Sequence, residues 1–164
     1  MSFSLIPGLI IDKVTELTPE VLHQTNIHFL MLDFDNTIVP YTTDTPEPEM
    51  ERWLSAMQKS DIGICVVSNS KRQRVVQFCE KRGIPCITHS KKPFAKGIRQ
   101  CMEQFGLDPK TTALVGDQIY TDVLGANSAG IRSVLVTPIH LHNIWLTMRH
   151  WLELPFIAIG KRGS

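Results

Sequence analysis

Two carboxylates stand two residues apart in the segment Leu32-Asp33-Phe34-Asp35, at the end of an apolar run. Residues two apart along an extended chain point to the same side, so we expect Asp33 and Asp35 to lie close together. Carboxylates this close repel each other unless a cation neutralises them, and an acidic site of oxygen ligands suits Mg²⁺. Taken alone, the pair is also compatible with a loop of solvated acids.

A second acidic segment follows another apolar run and contains Asp117 and Asp122. Because ligands gather beyond the carboxyl ends of parallel strands, we expect Asp117 to reach the same sheet edge as Asp33. Both Asp117 and Asp122 could instead cap the helix that follows them. Capping accounts better for Asp122 than for Asp117.

Two further segments offer groups that bind phosphate. The sequence Ser-Asn-Ser at 68–70 supplies a hydroxyl, an amide and main-chain N–H groups before a predicted helix, although the same residues could simply cap that helix. Lys92 stands just before Pro93, which can begin a helix, and a lysine there would neutralise phosphate and aspartate charges. Without the other segments, exposed surface lysines would be the simpler interpretation.

Continuous apolar runs alternate with candidate helices, which predicts a parallel sheet with right-handed crossovers. The predicted strands are 29–32, 62–67, 84–88, 112–115 and 133–136. The predicted helices are 47–59, 71–82, 93–105 and 119–129, with helix ends at Gly83, Gly106 and Gly130. We therefore predict an α/β protein with a three-layer αβα, Rossmann-like fold.

The 164 residues suffice for one domain, and their 43% apolar and 20% charged content is that of an ordinary globular protein. We predict an N-terminal extension at 1–27 that wraps the sheet, a catalytic core at 28–138, and a C-terminal helix and tail at 139–164, frayed from about 155. The start lacks a basic leader and a cleavage site, so we expect a cytoplasmic protein. We expect buried, reduced thiols at Cys65, Cys79, Cys86 and Cys101.

In order along the chain, the segments DFDNT, VVSNS, KKP and VGDQIYTD resemble the signatures of the haloacid dehalogenase-like (HAD) superfamily of aspartyl phosphotransferases. They cover about residues 33–122. The closer resemblance is to the YqeG-like phosphatases of subfamily IIIA. It rests on the Leu-Ile-Pro at 5–7, the Leu-Thr-Pro at 17–19, the Lys-Pro at 92–93 and the segments 116–118 and 121–125, and it extends over nearly the whole chain.

The resemblance implies a Mg²⁺-dependent phosphatase. Asp33 is then the nucleophile that attacks phosphorus, and Asp35 is the general acid and base. The carboxylates of Asp33 and Asp117 and the main-chain carbonyl of Asp35 hold the Mg²⁺ ion. Every position of the motifs holds the residue type that such a phosphatase needs.

The same resemblance implies roles for five further residues. Ser68 and Lys92 bind the phosphoryl oxygens, and Asn69 contributes to that loop. Thr37 helps to orient the catalytic loop, while Asp122 orders metal-bound water or Lys92.

The gaps between the motifs have no room for a cap domain of ordinary size, so we expect an open site without a sizeable cap. An open site favours a phosphate ester held on a macromolecule or a membrane. Phosphatidylglycerophosphate, a type of substrate in the family resembled, fits such a site. Two alternatives stay open, namely a phosphatase for a soluble nucleotide, sugar or protein phosphate, and a non-catalytic binding or regulatory module.

Charge is unevenly distributed, since 1–61 carries ten acids and three bases while 70–110 carries ten bases and three acids. This asymmetry could attract an anionic partner or reflect two solvated helix faces. No nucleic-acid motif accompanies the bases, so we expect no nucleic-acid partner. An apolar face at 141–152 is typical of a helix packed on the sheet or of one at a membrane interface. The second alternative would place the protein peripherally at the inner face of the membrane.

Overall fold

The structure, a computed structural model, describes residues 4–70, 73–140 and 144–162, without the side chains of 144–151 and 162. In this part of the chain six parallel strands form one sheet in the order β1-β6-β5-β2-β3-β4. The strands are Leu9–Ile11 (β1), Phe29–Leu32 (β2), Gly63–Val67 (β3), Cys86–Ile87 (β4), Thr112–Gly116 (β5) and Arg132–Val136 (β6). The predicted parallel sheet is confirmed.

A helix follows each strand. The helices are Pro19–Gln24 (α1), Pro48–Lys59 (α2), Gln73–Arg82 (α3), Lys96–Phe105 (α4), Leu124–Ala129 (α5) and Ile144–Arg162 (α6), with 3₁₀ turns at Val14–Glu16 and Pro109–Thr111. One π-helical turn at Ile119–Val123 leads into α5, where the sequence predicted one continuous helix. The predicted helix ends at Gly83, Gly106 and Gly130 all have positive φ, which glycine adopts at little cost.

Side chains alternate between two apolar cores, one on each face of the sheet. Leu30 of β2 belongs to the core that contains Trp53 of α2. Its neighbour Met31 belongs to the core that contains Ile98 of α4. All the residues of β2 are buried, which explains why its sequence is continuously apolar. The predicted αβα layers are therefore confirmed.

The N-terminal extension contains an edge strand that the sequence did not indicate. Leu9 of β1 pairs in parallel with Val134 of β6. The indole Nε1 of Trp53 donates a hydrogen bond of 2.9 Å to the carbonyl oxygen of Leu17, which ties the extension to α2. A strand of three residues is too short to show a period, so periodicity could not reveal that the extension widens the sheet as well as wrapping it.

The C-terminal helix is longer than predicted. We expected fraying from about residue 155, but α6 continues through Pro155 to Arg162. A proline inside a helix removes one main-chain hydrogen bond. Contacts with the rest of the protein offset this loss, since Glu153 Oε1 accepts a hydrogen bond of 3.0 Å from the main-chain N–H of Ile119. The prediction of a frayed tail was wrong because these contacts are not visible in the local sequence.

The apolar face predicted at 141–152 lies almost wholly outside the described side chains. Leu152, its last residue, is 65% exposed. Among the described residues, no helix combines the length and the apolar character needed to cross a bilayer.

The four cysteines are free thiols. Cys65, Cys79 and Cys101 are buried, and Cys86 is half-buried. Burial raises the pKa of Cys79 to about 12, so this thiol stays protonated at neutral pH. Three of the four thiols are buried as expected, and Cys86 is less buried than expected.

Candidate active site

The loops that follow β2, β3 and β5 are neighbours at the carboxyl edge of the sheet. β2 lies between β3 and β5, so Asp33, Ser68 and Asp117 each follow one of three adjacent strands. The main-chain N–H of Asp33 donates a hydrogen bond of 2.9 Å to Val115, which continues the pairing of β2 with β5 up to the site. Strand pairing therefore fixes the main chain on which these side chains stand.

Three of the predicted acidic residues form a buried carboxylate cluster. One oxygen each of Asp33, Asp117 and Asp122 lies within 4.8 Å of the others. Their exposed fractions are only 7%, 4% and 1%, respectively. Gly116 makes this arrangement possible, because a Cβ atom there would stand 2.2 Å from Asp122 Oδ2. The fold therefore brings Asp117 within ligand-sharing distance of Asp33.

Lys92 supplies a positive charge to the carboxylate cluster. Its buried Nζ donates hydrogen bonds of 2.7 Å to Asp33 Oδ1 and 2.6 Å to Asp122 Oδ1. Burial by itself lowers the pKa of Lys92, but the negative charges of Asp122 and Asp33 more than offset it, and the pKa is raised overall. Lys92 is therefore a cation at neutral pH.

Asn69 holds the main chain of Lys92. Its Oδ1 accepts hydrogen bonds of 2.7 Å from the main-chain N–H of Lys92 and from Ser90 Oγ, and its Nδ2 donates one of 2.8 Å to the carbonyl oxygen of Lys92. The sequence predicted that Asn69 binds phosphate. In this arrangement its amide instead positions the lysine, and contact with phosphate stays a prediction.

Ser68 lies in the same loop and is buried. Its Oγ accepts a hydrogen bond of 3.1 Å from the main-chain N–H of Ser70, and its own N–H donates one of 2.9 Å to Ile87 of β4. A hydroxyl that accepts from the main chain still has a proton to donate. Ser68 can therefore serve as a donor to a phosphoryl oxygen.

The protonation of Asp122 is sensitive to its surroundings. Burial and the negative charge of Asp33 raise the pKa of Asp122 to about 7, while Lys92 acts in the opposite direction. Asp122 Oδ2 also accepts a hydrogen bond of 3.2 Å from the main-chain N–H of Gln118. Since the carboxylate cluster carries more negative than positive charge, an added cation would favour the ionised form of Asp122.

The carboxylate of Asp35 lies outside the cluster and contacts Arg74 instead. The guanidinium of Arg74 also donates hydrogen bonds of 3.1 Å to the carbonyl oxygen of Thr43 and 2.7 Å to Asp44 Oδ1. It stands 5.2 Å from the ring centre of Phe34. Alternation along the chain predicted that the carboxylates of Asp33 and Asp35 lie together, but the structure directs that of Asp35 to Arg74, because the chain turns after β2 instead of staying extended. The metal contact through the carbonyl oxygen of Asp35, which the resemblance implies, stays a prediction.

The loop after β2 turns sharply beyond Asp35. Asn36 has a φ of +58° and its Nδ2 donates a hydrogen bond of 2.7 Å to the carbonyl oxygen of His140. Thr37 is buried, and its Oγ1 has no hydrogen-bond partner among the described residues. The main-chain bond from Asn36 to Val39, at 2.7 Å, closes the turn. Thr37 therefore lies inside the loop that follows β2, and its role in orienting that loop stays a prediction.

The carboxylate cluster has the chemistry of a divalent cation site. Three buried carboxylates face one ammonium group, so negative charge is in excess unless a proton or a cation is added. Carboxylate oxygens are the ligands that Mg²⁺ prefers. The residues present therefore fit a divalent metal ion.

Comparisons with known proteins identify the family. A HAD-hydrolase-like family model matches residues 90–138. The Bacillus subtilis protein named probable phosphatase YqeG is 32% identical over 134 residues, which are 82% of this chain and 78% of the relative. This chain belongs to the YqeG family of HAD-like phosphatases. The predicted family and enzyme class are thereby confirmed.

A second relative carries a more specific name. The mitochondrial phosphatidylglycerophosphatase GEP4 of Saccharomyces cerevisiae is 30% identical over 145 residues. The match covers 79% of this chain and 76% of the yeast protein. The yeast enzyme is named for a lipid phosphate.

Solved structures share the HAD-like fold at low sequence identity. The 3-deoxy-D-manno-octulosonate 8-phosphate phosphatase of Moraxella catarrhalis, solved with magnesium ion, phosphate ion and KDO, is 16% identical, with a TM-score of 0.52 over 71% of this chain and 72% of that chain. The cobalt-bound octulosonate 8-phosphate phosphatase of Haemophilus influenzae is 15% identical, with a TM-score of 0.52 over 83% of this chain and 92% of that chain. These likenesses support the fold alone.

Two residues of the site escaped the sequence interpretation. Arg74 contacts the carboxylate of Asp35, and Ser90 donates to Asn69. Arg74 had one available signal, because it is an arginine in the first turn of the helix that follows the Ser-Asn-Ser loop. Ser90 had none, since a serine in a predicted loop has no distinguishing pattern.

Proposed function

We propose that the protein hydrolyses phosphate monoesters with Mg²⁺ and forms a covalent phosphate on Asp33. The observation that carries this proposal is the buried arrangement of Asp33, Asp117, Asp122 and Lys92 at the carboxyl end of β2. A carboxylate cannot readily approach an anionic phosphate unless positive charge offsets the repulsion. Lys92 lies where it provides part of that charge.

The reaction consists of two displacements at phosphorus. In the first, an Asp33 oxygen bonds to phosphorus while the ester P–O bond breaks, and the leaving alkoxide takes a proton from Asp35. In the second, water gives a proton to Asp35 as its oxygen bonds to phosphorus, and the bond to Asp33 breaks to release inorganic phosphate. Dividing hydrolysis in this way replaces one difficult step by two easier ones.

Positive charge and hydrogen-bond donors orient the phosphate in this scheme. Mg²⁺, held by the carboxylates of Asp33 and Asp117 and the main-chain carbonyl of Asp35, would offset the negative charge of the phosphate. Lys92 and Ser68 donate hydrogen bonds to phosphoryl oxygens. Asp122 holds the Lys92 ammonium in place, as its contact of 2.6 Å supports.

We propose a lipid phosphate, such as phosphatidylglycerophosphate, as the substrate. Two observations support it, namely the similarity to the yeast phosphatidylglycerophosphatase and the short connections around the site. Between Asp33 and Ser68 the described chain has only α2, β3 and the two connections that join them to β2 and to each other, which leaves no room for a cap domain. A site without a cap can reach a phosphate that lies at the surface of a bilayer.

A phosphate-release assay tests both parts of the proposal. Purified protein with Mg²⁺ should release phosphate faster from vesicle-held phosphatidylglycerophosphate than from sugar phosphates or nucleotides, and Asp33→Asn should abolish release from every substrate. Asp61→Asn is the matched control, because Asp61 is an exposed carboxylate paired with His23. A preference for sugar phosphates or nucleotides would contradict the proposed lipid substrate but not the proposed mechanism on Asp33. Full activity in Asp33→Asn would contradict the proposal that Asp33 is the nucleophile.

A non-catalytic module with this fold is the alternative from another class of protein. An assay with an aryl phosphate, which any open active site can admit, distinguishes a phosphatase from a non-catalytic module. Hydrolysis by wild type that disappears in Asp33→Asn excludes a purely binding role. Absence of hydrolysis by wild type with Mg²⁺, from both aryl phosphate and lipid, would favour the binding role.

A further inference from the structure

Phe94 is an exposed aromatic side chain next to the candidate active site. It is 74% exposed, the highest value among the exposed large apolar side chains of the described residues. It stands two positions after Lys92, whose ammonium is buried between Asp33 and Asp122. Transfer of the exposed Phe94 side chain from water to an apolar environment would therefore be favourable.

Exposed positive charges flank Phe94 in the sequence. Lys91 and Lys96 are both exposed, and neither forms an ion pair with any residue that the structure describes. Arg99, one turn further along α4, is also exposed. We call the segment 91–96, with Phe94 between these two lysines, the basic loop. An aromatic side chain between bases combines the two properties that favour the interface of an anionic membrane.

The basic loop is held in place by its own main chain and by α4. The N–H of Phe94 donates a hydrogen bond of 2.8 Å to Lys91, and that of Gly97 donates one of 3.1 Å to Ser90. Gly97 allows the close approach of α4 to the loop, because a Cβ atom there would stand 2.5 Å from the Cα of Ser90. Phe94 is therefore presented on an ordered loop that also carries Lys92.

Two arginines elsewhere between 70 and 110 are already paired within the protein. Arg74 contacts Asp35 and Asp44, and Arg82 contacts Glu51. These ion pairs join the acidic N-terminal part of the chain to the basic part. The two exposed lysines of the basic loop have no such partner among the described residues. They differ from other exposed lysines, such as Lys81 and Lys110, because they flank an exposed aromatic side chain.

We infer that the basic loop is a membrane contact that places the active site against an anionic lipid bilayer, an inference that rests on the proposed lipid substrate. Phe94 enters the interface, while Lys91 and Lys96 lie among anionic headgroups. The contact brings Lys92 and Asp33 to the depth of the headgroup phosphates. In a protein without a cap, this membrane contact would hold the substrate close to the nucleophile, as a cap does in other enzymes.

The apolar face predicted at 141–152 is the competing membrane contact. Among its described side chains, Leu152 of α6 is 65% exposed. α6 contacts β1, at one edge of the sheet, whereas the basic loop follows β4, at the other edge. Variants at Phe94 and Leu152 therefore separate the two surfaces.

Sedimentation with vesicles tests the inference without any catalysis. The full chain is mixed with phosphatidylcholine vesicles that contain or lack phosphatidylglycerol and hold no phosphate monoester. Wild type should sediment with the anionic vesicles, less at high salt, and not with the neutral ones. Phe94→Ala should weaken binding by at least about tenfold, and Lys91→Gln and Lys96→Gln by about fivefold each. Leu152→Ala should change binding by no more than about twofold.

Three results would overturn the inference. They are failure of wild type to sediment with anionic vesicles, equal binding of wild type and Phe94→Ala, and loss of binding in Leu152→Ala instead. Circular dichroism of each variant checks that the fold is intact, so that a lost contact is not mistaken for unfolding.

Activity provides an independent measure of the same contact. The ratio of hydrolysis of vesicle-held lipid phosphate to hydrolysis of aryl phosphate should fall in Phe94→Ala. If wild type sediments through Phe94 but does not hydrolyse the lipid, the membrane contact is supported and the proposed substrate is wrong. The two ideas can therefore fail separately.

Discussion

Lys92 is the residue on which the charge balance of the site depends. Its ammonium is buried and lies 2.7 Å from Asp33 and 2.6 Å from Asp122. Removing ionised groups from water is costly, and each contact offsets part of that cost. Since three carboxylates share the site, the loss of Lys92 would leave buried negative charges without their cation.

Replacement of Lys92 by methionine tests this dependence. Lys92→Met keeps an unbranched side chain but removes the charge, so we expect activity to fall by roughly a thousandfold. In metal-free buffer the free energy of unfolding should fall by about 3–5 kcal/mol, because buried carboxylates lose their partner. Urea unfolding measures this, with Lys59→Met on the exposed side of α2 as the control. Wild-type stability of Lys92→Met would contradict the importance of the pair.

The protonation of Asp122 predicts how stability varies with pH. The pKa of Asp122 is about 7 in the folded protein, whereas an aspartate in an unfolded chain has its ordinary pKa of 3.8. Between pH 3.8 and pH 7 the folded protein therefore binds more protons than the unfolded chain. Without metal, stability from this group should therefore fall as pH rises from about 4 to 7, by at most roughly 1.4 kcal/mol per pH unit.

Urea unfolding at several pH values, with a metal chelator and then with Mg²⁺, measures this effect. Asp122→Asn should flatten the pH dependence. Mg²⁺ should stabilise the protein more at pH 8 than at pH 6, because the cation favours the ionised carboxylate. Equal stabilisation at both pH values would argue against a cation in this carboxylate cluster.

At the scale of elements, the first turn of α3 connects the catalytic loop to the segment before α2. Arg74 contacts Asp35, the Thr43 carbonyl and Asp44 at once. Arg74→Gln should release these contacts and lower kcat for aryl phosphate roughly ten- to a hundredfold, because Asp35 is then less well placed. Arg82→Gln is the matched control on the same helix, since Arg82 pairs with Glu51 and stacks on Phe78. An equal effect of both variants would indicate a general loss of stability.

The turn from β5 into the π-helical segment depends on Gly116. A methyl group at this position would stand 2.2 Å from Asp122 Oδ2, so Gly116→Ala should displace Asp122 and destabilise the protein by about 1–3 kcal/mol. Gly125→Ala in α5 is the control, because its nearest atom is the flexible end of Ile98 at 3.2 Å. Thermal unfolding of both variants provides the comparison. A Gly116→Ala protein as stable as wild type would show that the turn has room to adjust.

The elements that could be predicted from the sequence were those whose apolar pattern directly reflects their burial. β2 is buried on both faces and reads as a continuous apolar run, and the positions of Asp33, Asp117 and Ser68 follow from the strand ends. The contact of Asp35 with Arg74 could not be predicted, because it depends on the distance between a loop and a helix far along the chain. β1 was too short to show a period, and α6 is stabilised by contacts such as Glu153 with Ile119.

At the scale of the whole molecule, part of the uneven charge of the sequence is paired within the protein. The ion pairs of Arg74 with Asp35 and of Arg82 with Glu51 join the acidic and the basic parts of the chain. The exposed lysines of the basic loop stand apart from these pairs. The carboxyl edge of the sheet therefore has a buried carboxylate cluster and the basic loop next to each other, which is the arrangement that the proposed substrate at an anionic interface needs.

The most direct test of the mechanism is to detect the phosphate on Asp33 during turnover. The enzyme is mixed with an aryl phosphate whose phosphoryl group is labelled, and the reaction is quenched with acid after milliseconds. Peptide mass spectrometry should then locate the labelled phosphoryl group on Asp33 in wild type. The label should accumulate in Asp35→Asn, because an aryl oxide can leave without a proton from Asp35 whereas the second step still needs Asp35 as a base. It should be absent in Asp33→Asn. Steady turnover with no labelled enzyme at any time, or label on Ser68 or Asp122 instead, would contradict the proposed mechanism.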